Sequence, residues 1–332
     1  GPVDGASTAP GPRSHNPTLQ SRLSLVNRQD DAPASLRIRC MGTRGSIASP
    51  GPDTARFGGN TPCLEVVAAG HRLIFDAGTG IRVLGHELAT AGEPVEATIF
   101  LTHFHWDHVQ GLPFFAPAWD AASNLHVVGP EQVAPDGEEL GVERLIDGLM
   151  ASAYFPMPMS SMAGIRTFGH LNEGSWERDD VTVRAMRVKH PSFTVGYRVT
   201  VGGRSVAYVP DNELLSNAWP MSADWRARFV GFLSGVDVLV HDAMYTEEEY
   251  PTYAGHGHST VDQAMDVAGE AGVGELLLFH HDPNRSDEAL EDLVDRARND
   301  ALVRGHTFAI RAAREGEVIV VGEAGDRVAD AS

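Results

Sequence analysis

An α/β fold, with two β-sheets stacked on each other and helices over both outer faces, is what the sequence predicts from three observations. Strand-like alternation of apolar and polar residues recurs in two separate stretches, 35–102 and 181–240. Segments with helical spacing lie beside both stretches. The strands repeatedly end on histidine or acidic residues. β-rich halves of this kind bury one sheet face against the other and the second face under helices. No short-period repeat is visible, which sets solenoid folds aside.

Taken in order, residues 1–34 are rich in Pro, Ser, Asn, Gln and Arg without sustained periodicity and read as a disordered leader. Its opening Gly1-Pro2 looks like the remnant of a protease cleavage, so a native targeting segment could have preceded it. Alternation at 35–41 predicts a strand that runs into a Gly/Pro-rich loop over 42–60. Strands follow at 63–67 and 72–75, a helix at 81–89, and a buried strand at 97–102. An insertion is expected over about 136–168. The second half predicts strands at 181–189, 195–201 and 205–209, then a mixed segment reaching 236–240, helices at 260–271 and 287–300, and strands at 275–279 and 318–321. The folded unit is thus expected over 35–322, with a tail over 323–332.

Composition narrows the function. A formal charge of −19, from 45 acidic against 26 basic residues, disfavours loose adhesion to nucleic acid or anionic lipid, so an anionic substrate must be held locally. Two cysteines, Cys40 and Cys63, make no disulfide framework, suit a reducing cytoplasm, and fit small buried strand positions. No apolar run approaches the roughly 20 residues that span a bilayer, so no membrane partner is expected.

The densest chemical signal is Thr102-His103-Phe104-His105-Trp106-Asp107-His108. On an extended chain His103 and His105 point the same way, so one metal ion can reach both imidazoles. Asp107 and His108 follow at the turn into the next helix, where they can serve a second ion. Paired ions ionise a bound water near neutral pH and steady the charge that develops as a bond breaks. A chance surface patch of histidines is the bland alternative.

Through its H-x-H-x-D-H signature, here His103, His105, Asp107 and His108, the chain resembles the metallo-β-lactamase superfamily over about 36–321. The resemblance implies a four-layer αββα sandwich with two mixed sheets. It also implies a later histidine, matched by His190 in Lys189-His190-Pro191, and a bridging aspartate, matched by Asp211 in Val209-Pro210-Asp211. The last ligand falls on His280 or His281, with His280 favoured because it directly follows the apolar run 276–279. By this analogy His103, His105 and His190 hold one ion, Asp107, His108 and His280 the other, and Asp211 bridges them. Taken alone, His190 could be a satisfied core histidine and Asp211 a helix N-cap. Asp76, in Phe75-Asp76-Ala77-Gly78, matches a buried acid that orients ligands. The ions are expected to be two Zn²⁺, with Mn²⁺, Fe or Co²⁺ as alternatives for mixed nitrogen and oxygen donors.

Two further motifs resemble the phosphodiesterase and tRNA-processing branch of that family. His258-Ser259-Thr260 matches its H-S-T motif, whose histidine protonates the leaving oxygen. His241-Asp242-Ala243 matches its H-E-A-T motif, with Asp242 in place of glutamate and suited to orient His258. Asp107, His258 and Asp242 are therefore the expected catalytic residues. Ser259 or Thr260 also suits a helix cap. Arg44, Ser46 and Asn60 border the 42–60 loop and are candidates for shaping the substrate space, or for an ordinary turn. Tyr154, Phe155, Met157 and Met159, in the insertion, are candidates for sandwiching a nucleobase, or for core or dimer contacts. The expected activity is hydrolysis of a small anionic phosphodiester, foremost a cyclic nucleotide, by a homodimer. A tRNA 3′-processing endonuclease, or a hydrolase of a β-lactam, lactone or thioester, is the alternative. Nucleic acid enters only as tRNA in the second reading, since no Gly- and basic-rich arm is present to grip it.

Overall fold

The structure, a computed structural model, describes residues 36–216 and 218–321; the expected leader over 1–34 and tail over 323–332 lie outside the described residues. Strands β1 (Leu36–Gly42), β2 (Cys63–Ala68) and β3 (His71–Phe75) form an antiparallel series, and helix α1 (Gly80–Ala91) carries the chain to β4 (Glu96–Phe100), parallel to β3. Short helices α2 (Trp106–Val109) and α3 (Ala116–Trp119) precede β5 (Asn124–Gly129). A ribbon of β6 (Gln132–Val133) and β7 (Glu139–Leu140), then helix α4 (Val142–Leu149), separates β5 from β8 (Ile165–His170). The expected insertion is therefore shorter than 136–168, because residues 165–170 pair with β5 as a sheet strand.

The second sheet starts as a meander of β9 (Gly174–Arg178), β10 (Val181–Val188), β11 (Thr194–Val201) and β12 (Arg204–Val209). It continues with parallel strands β13 (Val238–Asp242), β14 (Glu275–Phe279) and β15 (Ala309–Ala312). Helices α5 (Trp225–Leu233), α6 (Tyr250–Tyr253), α7 (Val261–Ala271) and α8 (Asp287–Val303) lie between these strands in the chain, and β16 (Val318–Val321) returns to pair with β1. The two seven-stranded orders are β16-β1-β2-β3-β4-β5-β8 and β15-β14-β13-β12-β11-β10-β9. Each sheet is antiparallel at one end and parallel at the other, as the expected αββα sandwich requires.

Three apolar layers hold this arrangement. Leu36, Ile38, Phe75, Phe100, Tyr197 and Tyr208 pack between the sheets, with Phe75 and Phe100 stacked at 5.3 Å. Each fully buried large apolar side chain contributes roughly 1.5–3 kcal/mol. Ile81, Leu84, Leu112, Phe115 and Ile146 join the first sheet to its helices, and Trp225, Phe229, Val267, Leu290 and Val294 do so for the second. All five residues of β13 are buried because the strand has a sheet on one side and helices on the other. Cys40 and Cys63 are free thiols buried in this core. No helix among the described residues is long and apolar enough to cross a membrane.

The topology has one consequence for chemistry. Strands β3, β4, β12, β13 and β14 are followed by, or end on, Asp76, His103, Asp211, Asp242 and His280. Strand β10 runs in the same sense as β12, because each is antiparallel to β11, and is followed two residues later by His190. Open α/β sheets place ligand sites at the carboxyl ends of their strands. Here the ends from both sheets meet along one edge of the sandwich.

Candidate metal centre

Four donors, His103, His105, His190 and Asp211, offer one atom each within 4.8 Å of one another, and so do Asp107, His108 and His280. Asp211 lies between the groups. Its Oδ2 is 3.7 Å from His103 Nε2 and 3.6 Å from His190 Nε2, while its Oδ1 is 3.0 Å from His108 Nε2 and 3.4 Å from His280 Nε2. One carboxylate thus turns an oxygen towards each set. His280, not His281, enters the cluster: His281 Nε2 donates to Ala313 O at 2.9 Å and its ring meets Phe57 edge-on.

Three of the rings are aimed by their other nitrogen. His190 Nδ1 donates to Gly257 O at 2.9 Å, which leaves Nε2 bare and pointing at His105 Nδ1, 3.1 Å away. His108 Nδ1 donates to Asp76 Oδ2 at 2.8 Å, and His103 Nδ1 donates to Thr102 Oγ1 at 3.1 Å. Thr102 Oγ1 in turn donates to both oxygens of Asp76, and Tyr208 OH donates to Asp76 Oδ2 at 3.0 Å. Asp76 therefore organises His108 directly and His103 through Thr102, the role the sequence suggested for it. Close backbone approach is part of the design. A Cβ on Gly257 would stand 2.3 Å from His190 Nδ1, and one on Gly45 would stand 2.3 Å from His280 Nδ1. His280 itself holds a left-handed backbone, φ +59°, a strain that surrounding structure must impose.

The donors fit a divalent cation pair. His103 Nε2, His108 Nε2 and Asp211 Oδ1 are buried without a hydrogen-bond partner, an arrangement that protein groups alone leave unsatisfied. The protonation balance agrees for His103, His190 and Asp211, whereas at His108 burial is outweighed by Asp211, Asp107 and Asp76, which hold the imidazole well above the usual histidine range. Burial, then the neighbouring histidines, holds His103 well below the usual histidine range, and burial foremost pushes His190 down to about 3. Burial opposes ionisation of Asp211, but His108, His280 and His103 outweigh it and hold the carboxyl well below its usual range. Neutral imidazoles with ionised carboxylates are the states that bind metal.

Beside this cluster, His258 Nδ1 donates to Asp242 Oδ2 at 2.9 Å, and its ring stacks on His280 at 4.7 Å. Burial alone would lower the His258 pKa, but Asp242, followed by Asp211 and Asp107, overrides it and lifts the value to about 9. Asp242 also accepts from Asn212 N at 3.0 Å and Met244 N at 3.1 Å. The shorter acid thus reaches its histidine directly. Thr260 caps helix α7 by accepting from Gln263 N, and Ser259 Oγ donates to Asn212 O. Asp211 caps no helix.

Glu213 is a site residue that sequence reasoning missed. It is fully buried and accepts from Tyr250 OH, Gly255 N, Gly257 N and Trp219 Nε1 at 2.7–3.2 Å. It pins the loop whose next residue is His258 and whose Gly257 carbonyl aims His190. Nothing in the sequence set it apart from other surface acids.

At two loops the structure decides between the alternatives that the sequence leaves open, and in both it takes the structural one. Arg44 is fully buried and donates to Gly58 O, Asp282 O and Arg285 O while pairing with Asp287, so it staples loop 42–60 to the turn before α8 and has no face for substrate. Asn60 is likewise spent on Glu315 and Thr79. Ser46 does border the site, donating its N–H to Asp107 Oδ2 at 2.8 Å. Phe155 packs on Phe114 and Trp119, and none of the residues 154–159 lines the cavity beside the cluster. That cavity, about 470 Å³, is bordered by Ser46, Phe104, His105, Trp106 and His258.

Comparison with known proteins gives the same assignment. The family described as "Beta-lactamase superfamily domain" matches residues 71–281. A ribonuclease Z from Haloarcula marismortui is 24% identical, over 80% of this chain and 92% of its own. In fold the chain is similar to the metallo-beta-lactamase fold protein YhfI from Bacillus subtilis, with TM-score 0.61 at 18% identity, covering 86% of this chain and 99% of that one. It is also similar to a diphosphatase of the PhnP family, with TM-score 0.57 at 17% identity, covering 86% and 97%. With this fold, this family match, and His and Asp donors brought together in groups able to hold a metal ion, the chain belongs to the beta-lactamase superfamily as a metal-dependent hydrolase of the metallo-β-lactamase fold.

Proposed function

We propose that the protein hydrolyses a small phosphodiester, foremost a cyclic nucleotide, with two zinc-class ions held by His103, His105, His190, Asp107, His108 and His280 and bridged by Asp211. The observation that carries this reading is the His258–Asp242 pair beside the donor cluster. When bound, the ions supply an activated water and positive charge for the phosphate oxygens. The chain's own part is proton delivery. Asp242 fixes His258 through Nδ1, so Nε2 is the nitrogen left to give a proton to the departing alkoxide. Water adds to phosphorus, the ester oxygen leaves with that proton, and a monoester and an alcohol result. A carbonyl hydrolase expelling a stabilised leaving group has less use for this acid.

Processing of tRNA is the second reading, favoured by the ribonuclease Z relatives. Against it stand the charge of −19 and a cavity bordered by no lysine or arginine among the described residues, which leaves a polyanion little to grip. A screen of cyclic nucleotides, linear dinucleotides and precursor tRNA, on protein of measured metal content, separates the readings. Turnover of the small diesters is expected. Cleavage of precursor tRNA at moderate salt with inert small diesters would overturn it.

Glu213 yields a further prediction. Glu213→Gln keeps one accepting oxygen but puts an amide donor against the N–H of either Gly255 or Gly257, and so loosens the loop ahead of His258. Turnover of an alkoxide-leaving diester is expected to fall about 10- to 100-fold with both ions retained, the usual cost of losing a supporting contact. Metal analysis beside kcat on alkoxide and nitrophenolate esters checks this; an equal loss on both esters assigns Glu213 a purely structural part.

A further inference from the structure

The H-x-H-x-D-H signature leaves its second x free, and this chain fills it with Trp106, whose side chain is 77% exposed beside the cluster. Among the described residues this large apolar ring is left mostly in water. We propose that Trp106 is the platform on which a flat ring of the substrate stacks, so that the substrate is a nucleoside-bearing phosphodiester; this rests on the phosphodiester reading above.

Four observations support the assignment. Trp106 and Phe104 flank His105 on the cavity wall, so the indole is held next to the place where a scissile phosphate meets the donors. Its backbone is fixed on both sides: His105 and Asp107 belong to the donor cluster, and His108 N and Gln110 N donate to the carbonyls of His105 and Trp106. At about 470 Å³ the cavity exceeds what a phosphate fills and matches those that take compact organic ligands. No lysine or arginine borders it among the described residues, so beyond the phosphate the affinity must come from uncharged contact. Stacking of a base on an exposed aromatic meets that requirement and tolerates any base.

The test is binding of product-like monophosphates to the metal-loaded protein, read by titration calorimetry and by tryptophan fluorescence. AMP is expected to bind about ten-fold tighter than ribose 5-phosphate and to quench indole emission. Trp106→Ala should erase the preference while leaving ribose 5-phosphate affinity and metal content unchanged, and Trp106→Phe should keep most of it. Equal affinity for the two ligands in the unaltered protein, or a preference for AMP that survives Trp106→Ala, overturns the proposal. If neither monophosphate binds the loaded protein, the phosphodiester reading itself fails and takes this one with it.

Discussion

Asp211→Ala is expected to leave the protein with at most one of the two proposed ions and to reduce turnover by well over 100-fold. Of all the donors, only this carboxylate turns one oxygen to each set, with Oδ1 towards His108 and His280 and Oδ2 towards His103 and His190. Supporting contacts around a metal site are worth about 10- to 100-fold in affinity or activity, and a shared ligand is worth more than its supports. Asp76→Asn supplies the comparison, because it weakens the aiming of His108 and His103 yet deletes no donor, and it should fall within that 10- to 100-fold range. Metal content by mass spectrometry, beside kcat, decides the matter. An Asp211→Ala protein that retains two ions per chain would remove Asp211 from its bridging place.

Much of this centre was legible because histidine and aspartate at strand ends are chemically conspicuous. His103, His105, Asp107 and His108 sit within six residues, and His190, Asp211 and His280 each follow an apolar run that the alternation marks as a strand. The choice of His280 over His281 rested on the same reasoning, and the structure agrees, because the residue right after β14 turns to the cluster while its neighbour turns to Ala313. Hidden residues were those whose meaning depends on tertiary contact. Tyr208 reads as one more strand residue until its hydroxyl meets Asp76, and Glu213 reads as a surface acid until four donors close on it. For Arg44 the sequence leaves a substrate contact and an ordinary turn equally open, because it does not show the backbone carbonyls that consume the guanidinium. Among elements, β8 and β9 escaped because edge strands with half-exposed residues lack clean alternation. Helix α5 escaped because apolar and polar residues are spread around it, although Trp225, Phe229, Phe232 and Leu233 are buried.

His258→Ala is expected to keep both ions and to slow alkoxide-leaving diesters by about 10²- to 10⁴-fold, the range of a lost general acid, while a nitrophenolate ester loses less than about ten-fold. The contrast follows from the leaving atom. An alkoxide is too basic to depart without a proton, whereas nitrophenolate departs as a stable anion. The pH dependence has a definite sign. Asp242, Asp211 and Asp107 together outweigh burial and lift the imidazole to about 9, so the proton-bearing form prevails below that pH and is lost as pH rises through it. Turnover of the alkoxide ester should therefore decline on the basic side in the unaltered protein. Bound cations act in the opposite direction and draw that limb towards neutrality. In His258→Ala the limb belonging to this group disappears, and in Asp242→Asn, where the orienting carboxylate loses its charge, the limb moves to lower pH. Equal losses on both esters, or a basic limb that His258→Ala leaves in place, would assign proton delivery to another group, because no change confined to packing discriminates between leaving atoms.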